Sequence, residues 1–267
     1  MIAVLEDVQN HPDDREVDID RVGVCDVRIP IVVYDRAHER QHTIAMVDLS
    51  VFLPRRYKGT HMSRFLEVLS DHRGEVTIET VPKILEDLRA RLDAPSARLH
   101  VRFPYFVERK APVTKAASLL DVECWFTGEA HEDGVDFVLG VRSPITSLCP
   151  CSKEISDYGA HNQRGFITIE ARTKPDDRGA AQMVWIEELI EVAERAASSP
   201  VYALLKRPDE RYVTMQAYEH PAFVEDLVRD VATELNDDPR LAWYRVHALN
   251  QESIHNHNAF AEIEKTL

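Results

Sequence analysis

Residues 22–34, Val22-Gly23-Val24-Cys25-Asp26-Val27-Arg28-Ile29-Pro30-Ile31-Val32-Val33-Tyr34, alternate in the manner of a half-buried strand. Strict alternation places Val22, Val24, Asp26 and Arg28 on one face and Gly23, Cys25, Val27 and Ile29 on the other. A second strand-like stretch runs from His42 to Leu53, and the polar segment Asp35-Arg36-Ala37-His38-Glu39-Arg40 joins the two. The pair reads as a long hairpin. Two helices are predicted next. Thr60 or Ser63 is the expected cap of a helix whose Phe65, Leu66 and Leu69 share a face. Thr80-Val81-Pro82 opens the second, with Ile84, Leu85, Leu88 and Leu92 as its apolar stripe.

Further along, strands are predicted over about 97–109, 116–131 and 134–146, with Glu132-Asp133-Gly134 as a hairpin turn. A polar block at 149–164 interrupts the pattern before Gly165-Phe166-Ile167-Thr168-Ile169 resumes it. Helices are expected near 186–198 and 221–235, and a last strand over Ala242–Asn250. Hairpin, helices and further strands occur twice, which predicts an α+β fold with a pseudo-duplicated plan. The halves divide near residues 111–115, giving 1–112 and 113–267. Residues 1–19 are acidic and polar and read as an arm or early loop.

Composition narrows the function. The chain has 267 residues, with 32 Lys+Arg against 46 Asp+Glu and a net charge of −14. That balance argues against general binding of nucleic acid or of an anionic membrane, both of which need a basic face. Only 9 glycines occur, and neither a G-x-G-x-x-G nor a Walker-type loop is present, so a bound phosphate must be held by side chains or helix ends. No apolar run approaches the roughly 18–20 residues of a membrane span. The N-terminal stretch lacks the basic start and apolar core of a secretory signal. Cys25 and Cys124 lie in strand-like patterns and read as small core residues. These features predict a cytoplasmic protein.

Chemistry-bearing residues gather in four places. The first is Ser143 to Gly165, where a strand runs into Cys149-Pro150-Cys151 and a histidine, His161, follows twelve positions after Cys149. Thiolate and imidazole suit zinc and neighbouring borderline metals. Taken alone, the turn reads equally well as a reduced cysteine pair in an ordinary loop. The second is Asn250-Gln251-Glu252-Ser253-Ile254-His255-Asn256-His257-Asn258, with candidate ligands and acid/base groups in Glu252, His255 and His257; its alternative is a solvated tail. The third, Leu204 to Thr214, contains Glu210 and by itself reads as a charged loop. The fourth is the basic patch Pro54 to Arg64, whose Arg56, Lys58, His61, Ser63 and Arg64 lead into a helix and would suit an oligophosphate. It reads equally as a loop balancing nearby acids.

Together these segments resemble the type IB GTP cyclohydrolases, metal-dependent members of the tunnelling fold. The carriers are Lys58 to Arg64, Ser143 to Gly165, Leu204 to Val213, Phe223-Val224-Glu225-Asp226, and Glu252 to His257, in that order over most of the chain. One departure is that Met215 and His220 replace a glutamate and an asparagine expected around Ala217-Tyr218-Glu219. The resemblance implies two tandem modules of antiparallel sheet with helices on one face, assembled as a homotetramer with sites at its interfaces. It implies conversion of GTP and water to 7,8-dihydroneopterin triphosphate and formate, the first step of pterin and folate biosynthesis. It implies one divalent metal per site (zinc, manganese or iron), with Cys149, His161, Glu210 and His255 in or beside its shell. Glu225 would anchor guanine, Glu252 and His257 would move protons, and Arg56, Lys58, His61, Ser63 and Arg64 would meet the triphosphate.

Two other readings stay open at this level. A tunnelling-fold nitrile reductase would use Cys149 as a nucleophile with a nicotinamide cofactor. A non-catalytic zinc-stabilised assembly protein would close a shell around Cys149, His161 and His255.

Overall fold

The computed structural model describes residues 9, 11–72, 75–177 and 181–267. The expectation of an N-terminal arm falls largely outside these, since residues 1–8 and 10 are not described. The chain forms two compact units. One comprises the described residues up to Phe103 together with Trp125–Phe137, and the other Pro104–Cys124 with Val138–Leu267.

In the first unit, strands β1 (Ile19–Asp35) and β2 (Glu39–Leu53) form the expected long antiparallel hairpin. The alternation in β1 is not strict. Val24 pairs with Leu49 and Val27 with Val47, so one extra residue is accommodated at Cys25-Asp26. Asp26 adopts φ 56°, and its amide donates to Asp48 Oδ1 at 2.8 Å. This bulge returns Val27 and Ile29 to the face of Val22 and Val24, and it leaves Cys25 exposed rather than in the core. Gly23 is required beside it, because a Cβ there would lie 1.9 Å from the Leu49 carbonyl oxygen.

β3 (Ala97–Lys110) pairs with β2 through Ala97–Arg102. Helix α1 (Met62–Asp71) buries Phe65, Val68 and Leu69, whereas Leu66 is 45% exposed, so Val68 takes the place expected of it. Neither Thr60 nor Ser63 caps α1; His61 occupies the cap, and Arg64 N–H closes the first turn on its carbonyl at 3.1 Å. α2 (Val81–Leu92) begins at Thr80 with Pro82 in its first turn, and buries Ile84, Leu85 and Leu88. Gly128 meets this helix closely, since a Cβ there would lie 2.6 Å from Val81 Cγ1.

In the second unit, β5 (Gly134–Leu148), β6 (Asn162–Thr173), β8 (Leu241–Asn250) and β9 (Ala259–Thr266) are antiparallel neighbours in that order. The short β7 (Ser199–Pro200) pairs with β5 at Ile145 and Thr146. β4 (Ala117–His131) divides between the units after Cys124, as β3 does after Phe103 and β5 after Phe137; Cys124 is buried as expected. Helices α4 (Ile186–Ala196) and α6 (Val224–Asn236) turn Leu189, Ile190, Leu227, Val228 and Val231 into the core of this unit. Ile145, Ile167, Ile169, Val246 and Ala248 form its strand side, all essentially inaccessible.

Three elements depart from the sequence reading. The Cys-Pro-Cys turn begins a short helix, α3 (Pro150–Ile155). The charged segment after Leu205 forms helix α5 (Arg207–Glu219), in which only Asp209 and Ala217 are buried. β9 follows the polar cluster of residues 250–258, which is therefore a connection between strands rather than a tail. Among the described residues no helix is long and apolar enough to cross a membrane.

Candidate active site

The Cys149–His161 spacing is explained by the strand register. Leu148 of β5 pairs with Asn162 of β6, so Cys149 and His161 are the next residues out along the ladder. The Cys149 N–H donates to the His161 carbonyl at 3.1 Å, which keeps the two opposite each other. The residues between them leave this ladder, turn through α3, and return.

Small polar groups lock that turn. Ser152 Oγ donates to the Cys149 carbonyl at 3.1 Å and accepts from the His161 N–H at 3.2 Å. Cys149 caps α3, its Sγ accepting from the Ser152 N–H at 3.4 Å, and Pro150 supplies a first helical residue that has no N–H to satisfy. Cys151 is exposed.

Behind His161 the geometry is tighter. Its Nδ1 lies 2.9 Å from Gln163 Oε1 and 3.3 Å from Ser253 Oγ. Gln163 Nε2 in turn donates to Ser147 Oγ at 3.0 Å. Ser253 brings in the loop after β8, whose Gln251 N–H donates to the Arg164 carbonyl at 2.9 Å. Glu252 is half-buried on this loop, while His255 and His257 are exposed, their rings stacked with centroids 5.1 Å apart. Gln163, Ser152 and Ser253 have no role in the sequence reading. Strand periodicity was the available signal for Gln163, since residues i and i+2 share a face of β6.

Glu225 stands exposed in the first turn of α6, and the Ala222 N–H just before that helix donates to the Leu148 carbonyl at 3.1 Å. α6 therefore starts beside the end of β5. Glu210 is exposed near the start of α5. The far end of α5 is tied to α3 by Lys153, whose Nζ donates to the Tyr218 carbonyl at 2.6 Å and sits over the Tyr218 ring. Glu210 lies eight residues from that tie, roughly 12 Å along the helix axis.

The start of α5 is organised by the neighbouring Asp209. Burial pushes its carboxyl up, but the Thr114 hydroxyl and the N–H groups of Thr114, Lys206 and Val113 outweigh burial and hold it well below the usual carboxylate range.

The basic patch belongs to the first unit. Arg56 is exposed over the Tyr57 ring with Asp93 at 3.9 Å, and Lys58 is exposed with its N–H bonded to the His11 carbonyl. Ser63 is exposed and His61 half-buried at the start of α1. Arg64 donates from Nη1 to the Arg91 carbonyl at the end of α2, at 2.9 Å.

The structure thus brings Cys149, His161, Ser253 and the start of α6 together in the second unit. Among the described residues, no three His, Cys, Asp or Glu side chains gather closely enough within one chain to hold a metal ion. The donors that do meet fit such an ion chemically. Cys149 and His161 are joined through their backbones, and the His161 Nδ1 is hydrogen-bonded to Gln163, an arrangement usual for a ligating histidine.

Residues 5–261 match the family described as Type I GTP cyclohydrolase folE2. The chain belongs to that family. Relatives named GTP cyclohydrolase FolE2 include one from Syntrophus aciditrophicus, 51% identical over 97% of this chain and 99% of its own length. Others are from Methylococcus capsulatus, 51% identical over 98% and 95%, and Magnetococcus marinus, 49% identical over 97% and 96%. Among solved structures, the uricase from Arthrobacter globiformis superposes with TM-score 0.55 at 10% identity, covering 92% of this chain and 93% of the uricase. Urate oxidase from Bacillus subtilis gives 0.53 at 10% identity, over 92% and 98%. This FolE2-family chain accordingly has the antiparallel α+β architecture of the tunnelling fold, as its sequence implied.

Proposed function

We propose that the chain is a metal-dependent type IB GTP cyclohydrolase I, which converts GTP and water to 7,8-dihydroneopterin triphosphate and formate. The observation that carries this reading is the pairing of Cys149 with His161 at the end of β5 and β6, with the histidine braced from behind. Family membership and near-full-length relatives named GTP cyclohydrolase FolE2 support the reaction class.

Cys149 and His161 would hold one divalent cation (zinc, manganese or iron), and Glu210 and His255, which do not gather with them within one chain, would complete or adjoin its shell. The cation would supply Lewis acidity and ease the deprotonation of water near the guanine C8. The Glu225 carboxylate accepts hydrogen bonds from the guanine ring N–H and exocyclic amine, fixing which edge of the base faces Cys149. Glu252 and His257 carry protons to the imidazole-ring nitrogens as the bonds to C8 open and formate leaves. Arg56 and Lys58, exposed and cationic, are the stronger choices for the triphosphate. His61 and Ser63 assist, and Arg64 is already engaged with the end of α2. The working form is a homotetramer in the cytoplasm, where the thiol stays reduced and neighbouring chains pool basic side chains against a tetra-anion.

The test is GTP turnover by purified, chelator-stripped protein after separate return of Zn²⁺, Mn²⁺ and Fe²⁺, with formate and fluorescent oxidised pterin measured together. Metal-dependent release of both is expected. Folded protein that yields neither product with any metal overturns the proposal. A thiol-dependent nitrile reduction, or tight zinc without turnover, would identify the reductase or the assembly protein instead.

A further inference from the structure

We infer that Gln163 is a positioning residue that sets the tautomer of His161, holding the ring proton on Nδ1 so that Nε2 is left as the metal-facing nitrogen. The inference rests on the metal reading proposed above and adds a residue to it.

Gln163 is only 6% exposed and Ser147 is fully buried. The two are directly opposite each other in the β5–β6 ladder, and His161 immediately precedes β6, two residues before Gln163. The glutamine amide has distinct ends. In the arrangement observed, Nε2 donates to Ser147 Oγ at 3.0 Å, and Oε1 meets His161 Nδ1 at 2.9 Å.

An amide oxygen carries no hydrogen, so a bond of that length requires the proton to be on Nδ1. Neutral imidazole has one ring proton, and placing it on Nδ1 leaves a lone pair on Nε2. The opposite amide orientation would present N–H to Nδ1, drive the proton to Nε2 and disable that nitrogen as a ligand. Ser253 Oγ at 3.3 Å cannot make this choice, because a hydroxyl either donates or accepts. A carboxylate at position 163 would preserve the acceptor, whereas an aliphatic side chain would remove it and leave both Ser147 and Nδ1 without their present partner.

The test compares wild type, Gln163→Leu and Gln163→Glu by competition for Zn²⁺ against a chromophoric chelator, with thermal melting of the metal-free proteins in parallel. Gln163→Leu is expected to lose about 10–100-fold in zinc affinity, and Gln163→Glu to recover most of it. If wild type binds zinc and Gln163→Leu binds it equally well, the role of Gln163 is overturned while the metal reading stands. If wild type captures no zinc, both fall.

Should Gln163→Leu fail to fold, ¹⁵N-histidine NMR of metal-free wild type decides, with the His161 signals assigned by their loss in His161→Asn. A protonated Nδ1 and an unprotonated Nε2 are expected. The reverse tautomer overturns the inference.

Discussion

Asp209 shows how much one side chain can do while staying outside the chemistry. It is fully buried and accepts hydrogen bonds from Val113, Thr114 and Lys206, fastening the loop before β4 to the start of α5. Because folding depresses its pKa, its contribution is complete above the unfolded value near about 4 and disappears as pH falls through the folded one. Asp209→Asn is therefore expected to melt lower at neutral pH and to lose less on acidification than wild type, read from melting curves across the acid range. Cys149→Ala should behave in the opposite way. Its Sγ makes one long hydrogen bond, to Ser152 N–H at 3.4 Å, so melting of the metal-free protein should hardly change while bound zinc and formate release are lost. Cys149 and His161 were legible in the sequence because thiol and imidazole are rare enough to notice at any spacing. Gln163 was not, because an amide has no chemistry of its own until the strand register shows what it faces.

At the scale of elements, legibility followed burial. β2 and β3 alternate without interruption and α4 and α6 carry apolar stripes, so periodicity located them. α5 has almost no buried face, and its helical character comes from Pro208 in the first turn and Asp209 bonding back to the Lys206 N–H. No apolar period could announce it. The bulge at Cys25-Asp26 was hidden for another reason: both residue types fit a regular strand, and only pairing against Leu49 and Val47 shows the extra residue. Two predictions belong here. Arg109 meets Glu194 of α4 through two hydrogen bonds of 3.0 and 2.9 Å, with both side chains largely buried. Burial pushes the Glu194 carboxyl up despite that partner. Arg109→Met should destabilise the fold by about 3–5 kcal/mol, and much of the loss should return in Arg109→Met/Glu194→Leu, as measured by denaturant unfolding. Gly165 pairs with both Ile145 and Asn250, and a Cβ there would lie 2.7 Å from the Leu249 carbonyl oxygen. Gly165→Ala should shift β6 against β8, lowering the melting temperature and zinc affinity together.

For the whole molecule, net charge is the governing quantity. Each chain carries −14, so copies repel at low ionic strength, and the proposed homotetramer must overcome that repulsion. Light scattering should give a mass close to four chains of 30.5 kDa at moderate salt, with dissociation favoured as salt is lowered. A single-chain mass at every salt concentration would remove the tetramer. The larger plan was legible because strands and helices recur in order; assembly leaves no such period in a sequence. The connection after β8 has a consequence of another kind. The ladder closes on Asn250 and Ala259, and the Gln251–Arg164 bond holds the near end, so the intervening polar residues form a tether clamped at both ends. A tether already closed by its flanking strands has little further entropy to lose when its tip becomes ordered. Glu252, His255 and His257 therefore ride on a span whose ordering costs the chain little, and substitutions there are expected to change reactivity far more than folding.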